Sequence, residues 1–216
     1  VVRSVEECDK ACHDDITVAT SLLEARILAG NVAQAGLPMQ LLNKNWSQTK
    51  FYEAKMAEAK ERYVKHNSTE YNLEPDLKNA PGGLRDIHTV GWISKRYFRV
   101  TNLFGLVQQE FITEKEFDEL QQAEDFLWLI RHHLHKIAKR NENRVLFDYQ
   151  RLIAERIGYR DNSHPNAAVE QFMRDYYRYA MSNSTLSEML TQHYYETLIE
   201  ARLPDEQRPV RKVINE

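Results

Sequence analysis

Residues 114–140 carry apolar side chains at Leu120, Ala123, Leu127, Ile130, Leu134 and Ile137, alternately three and four positions apart. That alternation holds to one face of an α-helix, whereas a half-buried strand needs a period of two. A narrow seam on so long a helix has to be covered by other helices, as in an antiparallel bundle. Thr113-Glu-Lys-Glu116 is a capping box at its start. Phe126 and Trp128 widen the apolar face, which makes this the expected central helix. Pro165 opens a second long helix over 165–202, with Val169, Phe172, Tyr176, Ala180, Leu186, Leu190 and Tyr194 inward. Helices are also expected over 47–66 (Phe51, Met56, Ala59 and Tyr63 inward) and 84–98 (Ile87, Val90, Gly91 and Tyr97 inward). A short helix capped by Asp148 should stop at Gly158. Gly91 in mid-helix costs about 1 kcal/mol against Ala, so close helix packing is expected there.

The amino-terminal part is less one-sided. Ser4-Val-Glu-Glu7 is a second capping box, opening a short helix through Cys12. Over 15–30, Ile16, Ala19, Leu23 and Ile27 fit one helical face. The same stretch alternates Leu22, Glu24 and Arg26 with Leu23, Ala25 and Ile27, a strand with one charged face. Residues 31–43 read as helix, and Val1-Val2-Arg3 fits the end of a strand. The expected fold class is mainly α: a helical bundle over 47–203, preceded by a small α/β remnant over 1–46. Residues 204–216 are charged and proline-bearing, as a linker or tail would be. The opening on Val1 rather than Met suggests a piece of something longer.

With 216 residues, only 7 Gly and 6 Pro, and 28% charged side chains, the chain can bury a core as one domain or two small ones. A formal net charge of −3 argues against a nucleic-acid binder driven by counterion release. No window approaches the run of about 18 apolar residues that a membrane helix needs. Two cysteines, Cys8 and Cys12, and no visible signal peptide point to a reducing cytoplasm.

The stretch Asn72-Leu-Glu-Pro-Asp-Leu-Lys-Asn-Ala-Pro-Gly-Gly-Leu-Arg-Asp-Ile87 carries the strongest chemical suggestion. A rigid turn at Pro81, Gly82 and Gly83 precedes a helix start, where free N–H groups and the dipole favour phosphate. Lys78 and Arg85 add cations on either side, and Asp86 follows at once. On spacing alone, a loop that merely sets one helix against another outweighs this reading. Glu24 on a short strand could hold a divalent metal beside other carboxylates, though a surface glutamate paired with Arg26 is the commoner outcome. Cys8, Cys12 and His13 have the spacing of a metal edge but no evident fourth ligand. His132, His133 and His135 fit a solvated helix face, and Tyr176, Tyr177, Tyr179, Tyr194 and Tyr195 fit core and rim packing. His13-Asp14 lacks the further spaced His and Asp residues of a phosphohydrolase site. Walker, GxGxxG, GxSxG and paired CxxC motifs are absent.

The run from Tyr71 to His88 closely resembles the bacterial bifunctional uridylyltransferase/uridylyl-removing enzymes of nitrogen control. So do the segment Asp15-Ile-Thr-Val-Ala-Thr-Ser-Leu-Leu-Glu-Ala-Arg-Ile-Leu-Ala-Gly30 and the run Asn143-Arg-Val-Leu-Phe-Asp148. Gly-Gly-Leu-Arg-Asp alone also occurs in the related adenylyltransferase of glutamine synthetase; the flanking residues favour the uridylyltransferase. The resemblance implies the later part of a polymerase-β-type nucleotidyltransferase domain and its helical region. It implies transfer of UMP from UTP to a tyrosine of the PII protein, with Mg²⁺ as cofactor and its main ligands outside this chain. Glu24 would be the third metal-binding acid, on the last active-site strand. Lys78, Arg85 and the N–H groups at Gly82 and Gly83 would face the triphosphate, with Asp86 orienting Arg85. A non-catalytic scaffold that docks PII is the rival expectation, and the chain alone is expected to be inactive.

Overall fold

The computed structural model describes residues 2–30, 34–66, 72–161 and 164–202. Among them the chain is mainly α, as expected: α1 (Val5–Asp14), α2 (Ile16–Leu23), α3 (Leu37–Asn45), α4 (Gln48–Lys65), α5 (Leu84–Phe98), α6 (Phe104–Gln108), α7 (Glu114–Ala138), α8 (Phe147–Arg156) and α9 (Ala167–Tyr194). A π turn (Tyr195–Ile199) and a 3-10 turn (Glu200–Arg202) extend α9. Residues 204–216 lie outside the described part. Among the described residues no helix is long and apolar enough to cross a membrane.

Both capping boxes form, Ser4 with Glu7 on α1 and Thr113 with Glu116 on α7. The seam residues Leu120, Ala123, Leu127, Ile130 and Leu134 are buried, and α7 packs along α9 and against α8 and α5. One core gathers Leu127, Ile130 and Leu134 with Phe172, Tyr176 and Ala180 of α9 and Ile153 of α8. A second joins Ile87, Val90 and Ile93 of α5 to Leu120, Leu190 and Tyr194. A smaller one unites Cys12, Ala19, Leu42, Trp46 and Phe51, which ties α1, α2 and α3 to the start of α4.

Three expectations need correction. The strand over residues 22–27 is not formed. Asp15 caps α2 through the Thr17 N–H, the helix takes in Leu22 and Leu23, and Glu24 stands at its C-cap with φ −95° and ψ 3°. Among the described residues the one strand-like pairing is an isolated antiparallel bridge between Asp76 and Arg144, so no sheet neighbours residues 22–27 to recruit them. Gly91 does not serve close packing, because a Cβ there would have nothing within 4 Å. Trp128 stays 41% exposed instead of completing the core face of α7.

Candidate functional site

The Pro-Gly-Gly turn is locked from three sides. Gly82 has φ +74°, and a Cβ on it would lie 2.1 Å from the Ala180 carbonyl oxygen on α9. Asn183, one turn further along α9 and buried, donates its amide to the Gly82 carbonyl at 2.8 Å and the Gly83 carbonyl at 3.1 Å. The segment before the turn is laced to residues 143–150. Leu77 N–H donates to the Asn143 carbonyl, Val145 N–H to the Pro75 carbonyl (each 2.9 Å), and the Gln150 amide to the Leu73 carbonyl at 2.7 Å. Two segments far apart in sequence, 72–87 and 143–148, thus form one structural unit.

The turn's own N–H groups have partners within the chain. Gly82 N–H donates to Asp86 Oδ2 at 2.7 Å, and Gly83 N–H to the Ala80 carbonyl at 2.9 Å. Leu84 and Arg85 N–H groups donate to the Leu77 and Lys78 carbonyls, both at 2.9 Å. The donors that a phosphate would need at this helix start are already engaged inside the protein. Asp86 is also placed differently from expectation. It faces away from Arg85, since neighbouring helical residues point about 100° apart. Its carboxylate, almost wholly buried, accepts from Arg62 at 2.7 Å as well as from Gly82. Burial pushes this carboxyl up, while the Arg62 guanidinium, the Tyr63 hydroxyl and the Gly82 N–H hold its charge. Arg62 in turn donates to the Asn79 carbonyl at 3.0 Å, so the pair clamps the turn to α4. It borders a cavity of about 450 Å³ between α4, α5 and α9.

On the opposite side of α5, Arg85 and Glu24 do meet. Both line an open cavity of about 360 Å³ with Thr17, Thr20 and Ser21 of α2, Lys55 and Glu58 of α4, and Trp92. Trp92 lies two helical turns after Arg85 and has two cations over its ring. The Arg85 guanidinium carbon is 5.3 Å from the ring centre and Lys55 Nζ is 4.3 Å from it. Lys55 is only 2% exposed and pairs with Glu58 at 2.5 Å. Burial lowers the pKa of both Lys55 and Arg85. Glu24 pairs with Lys95 at 2.7 Å. Arg85 makes no ion pair among the described residues, although the Glu58 charge acts on it across the cavity that both line. Sequence reasoning missed Lys55, Glu58, Trp92 and Lys95. The seven-residue step from Arg85 to Trp92 was the available signal, and the contribution of α4 had none.

Glu24 does not fit a divalent-cation seat by itself. Its carboxylate holds Lys95 instead of standing beside other carboxylates, and no group of three His, Cys, Asp or Glu able to hold a metal occurs among the described residues. Cys12 is buried with Sγ 3.9 Å from the Leu41 carbonyl oxygen, and Cys8 is half-buried. His132 and His133 pack edge to face at 5.5 Å. Tyr176 and Tyr194 are core residues.

Residues 50–191 match the family model described as GlnD PII-uridylyltransferase. The chain is 64% identical over 99% of its length to a protein of Psychrobacter sp. (strain PRwf-1) named bifunctional uridylyltransferase/uridylyl-removing enzyme. Proteins of the same name match in Psychrobacter cryohalolentis, at 62% over 99% of the chain, and in Acinetobacter baumannii (strain ATCC 17978), at 51% over 100%. The chain spans 24% of the length of each of these relatives. No solved structure matches.

Proposed function

The chain belongs to the GlnD PII-uridylyltransferase family, and from that premise we propose that it forms part of an enzyme transferring UMP from UTP to a tyrosine of the PII protein. Residues 1–46 are read as the edge of the nucleotidyl-transfer core and 47–203 as its helical region. The observation that carries the reading is Arg85: a half-buried cation without an ion pair among the described residues, facing a cavity it shares with Glu24. A partly desolvated cation attracts an anion far more strongly than one in water. Phosphoryl chemistry uses such a group to hold a triphosphate and to stabilise charge as the pyrophosphate leaves.

The other residues act on Arg85. The Arg85 guanidinium lies over the Trp92 ring, and Lys55, over the same ring, adds positive potential. Asp86 is a positioning residue: it fixes the turn from which Arg85 projects and touches no cavity that Arg85 lines. Gly82 and Gly83 act in the same indirect way, through close packing instead of phosphate binding. Because the residues present do not complete a Mg²⁺ seat, no step of this reading passes through the metal, and transfer is not expected from this chain alone.

The test is Arg85→Gln in a protein carrying this chain within the full length of its relatives. We expect kcat/KM for UTP to fall at least about 100-fold, the usual effect of removing one transition-state charge contact, with thermal stability near wild type. A value within about two-fold of wild type overturns the reading.

A further inference from the structure

Beside the α2–α5 cavity, three rings form a line from α5 to α7. His88 lies 5.8 Å from Trp92 and 6.3 Å from Trp128, centre to centre. The Arg131 guanidinium carbon sits 5.1 Å from the Trp128 ring. Both tryptophans take their cations on a ring face, and Trp128 is 41% exposed. A large ring beside a cation and open to solvent is a poor core residue and a good stacking platform.

The charges around this line are mostly positive, with Glu24 as a counter-charge. Arg85 and Arg131 both act on Lys78, and all three act on His88. None of the three has an ion pair among the described residues, although Arg131 is steered by Asn143 at 2.9 Å. Neighbouring cations without ion pairs of their own favour an anion beside them. Burial and this cationic surrounding press His88 down to about 4, so its imidazole is neutral near pH 7 and adds a ring without adding charge. Burial raises the pKa of the Glu124 carboxyl, and the neighbouring Trp128 lowers it.

We propose, resting on the reading of the Arg85 cavity above, that Trp128 and His88 are the seat for the uracil ring of UTP and that Lys78 and Arg131 receive its phosphates. The seat combines what a nucleotide requires, a flat apolar face and a neighbouring cluster of cations. Glu24 and Trp92 line both the Arg85 cavity and a second cavity of about 180 Å³ that contains His88 and Glu124, so the two cavities share a wall. Trp128→Ala or Trp128→Leu removes the platform at an exposed position, so the fold survives the change.

The experiment measures KM for UTP, KM for the protein acceptor, and inhibition by inorganic triphosphate, in a protein carrying this chain within the relatives' full length. Base stacking loss predicts that Trp128→Leu raises KM for UTP about ten-fold with kcat nearly unchanged. Trp128→Phe should restore most of it. Inorganic triphosphate, which has no base, should inhibit Trp128→Leu as strongly as wild type, and Lys78→Gln several-fold less strongly than wild type. Unchanged KM for UTP in Trp128→Leu overturns the proposal. So does a rise confined to the acceptor's KM, which would make the line a protein-docking surface. If Arg85→Gln remains impaired in that event, only the ring seat fails; if Arg85→Gln is also normal, the cavity reading fails with it.

Discussion

Gly82 leaves no room for a methyl group: a Cβ would stand 2.1 Å from a backbone oxygen of α9, at a positive φ that L side chains avoid. Neither partner can yield, since one is backbone and the other is held by Asn183 and Asp86. Gly82→Ala should therefore destabilise the chain by more than about 4 kcal/mol, in the range reserved for severe core defects. Gly158 offers the control. It also has a positive φ, but its Cβ would meet nothing within 4 Å, so Gly158→Ala should cost only backbone strain, roughly 1–3 kcal/mol. Chemical denaturation of the two variants checks both values, and equal losses would contradict the packing explanation. The residues named around the turn were visible in the sequence, but their roles were not. Spacing identified Arg85 and Asp86 as neighbours; it could not say that one faces α2 and the other Arg62.

At the scale of elements, the long helices were legible because their burial is periodic. Residues 84–98 were expected as a helix and form α5 over that span, and the seam of α7 is buried where its three-four alternation places it. Short elements were less legible: α8 forms, but Asp148, expected as its cap, is its second residue, behind an N-cap at Leu146 with no side-chain cap bond. α1 has its capping box, whereas α6 is five residues without a side-chain cap and went unforeseen. The strand expected at Glu24 failed because alternation over six residues is compatible with a helix end, and the partner strands that would decide it are not written in these residues. Contacts between elements stayed hidden for the same reason. The docking of the turn onto α9 depends on Asn183, 100 and 101 residues away from the carbonyls it serves. Asn183→Ala would remove the side-chain donor to the buried Gly82 carbonyl, while the Gly83 carbonyl keeps the Asp86 N–H, at a cost of roughly 1–3 kcal/mol, and should loosen the turn that carries Arg85. Urea unfolding should show the loss, and UMP transfer should fall as well. Full stability in this variant would mean that α9 does not hold the turn.

At the scale of the whole molecule, the helices act as a frame with two faces. On one, Asp86 and Arg62 fasten α5 to α4 beneath a polar cavity. On the other, Arg85, Lys55, Trp92 and Glu24 surround an open cleft against α2. The family resemblance read from residues 71–88 and 143–148 concerned segments that the fold brings into direct hydrogen-bonded contact. That contact joins the segment leading into α5 to residues 143–150. The central claim is that the α2–α5 cleft receives the nucleotide. Hydroxyl-radical footprinting tests it in a protein carrying this chain within its relatives' full length, with and without saturating UTP. The account predicts that UTP slows oxidation of Trp92, which lines the cleft, several-fold, while exposed Met189 on α9 reacts at an unchanged rate. Equal Trp92 oxidation with and without UTP, at concentrations that saturate transfer, would contradict it.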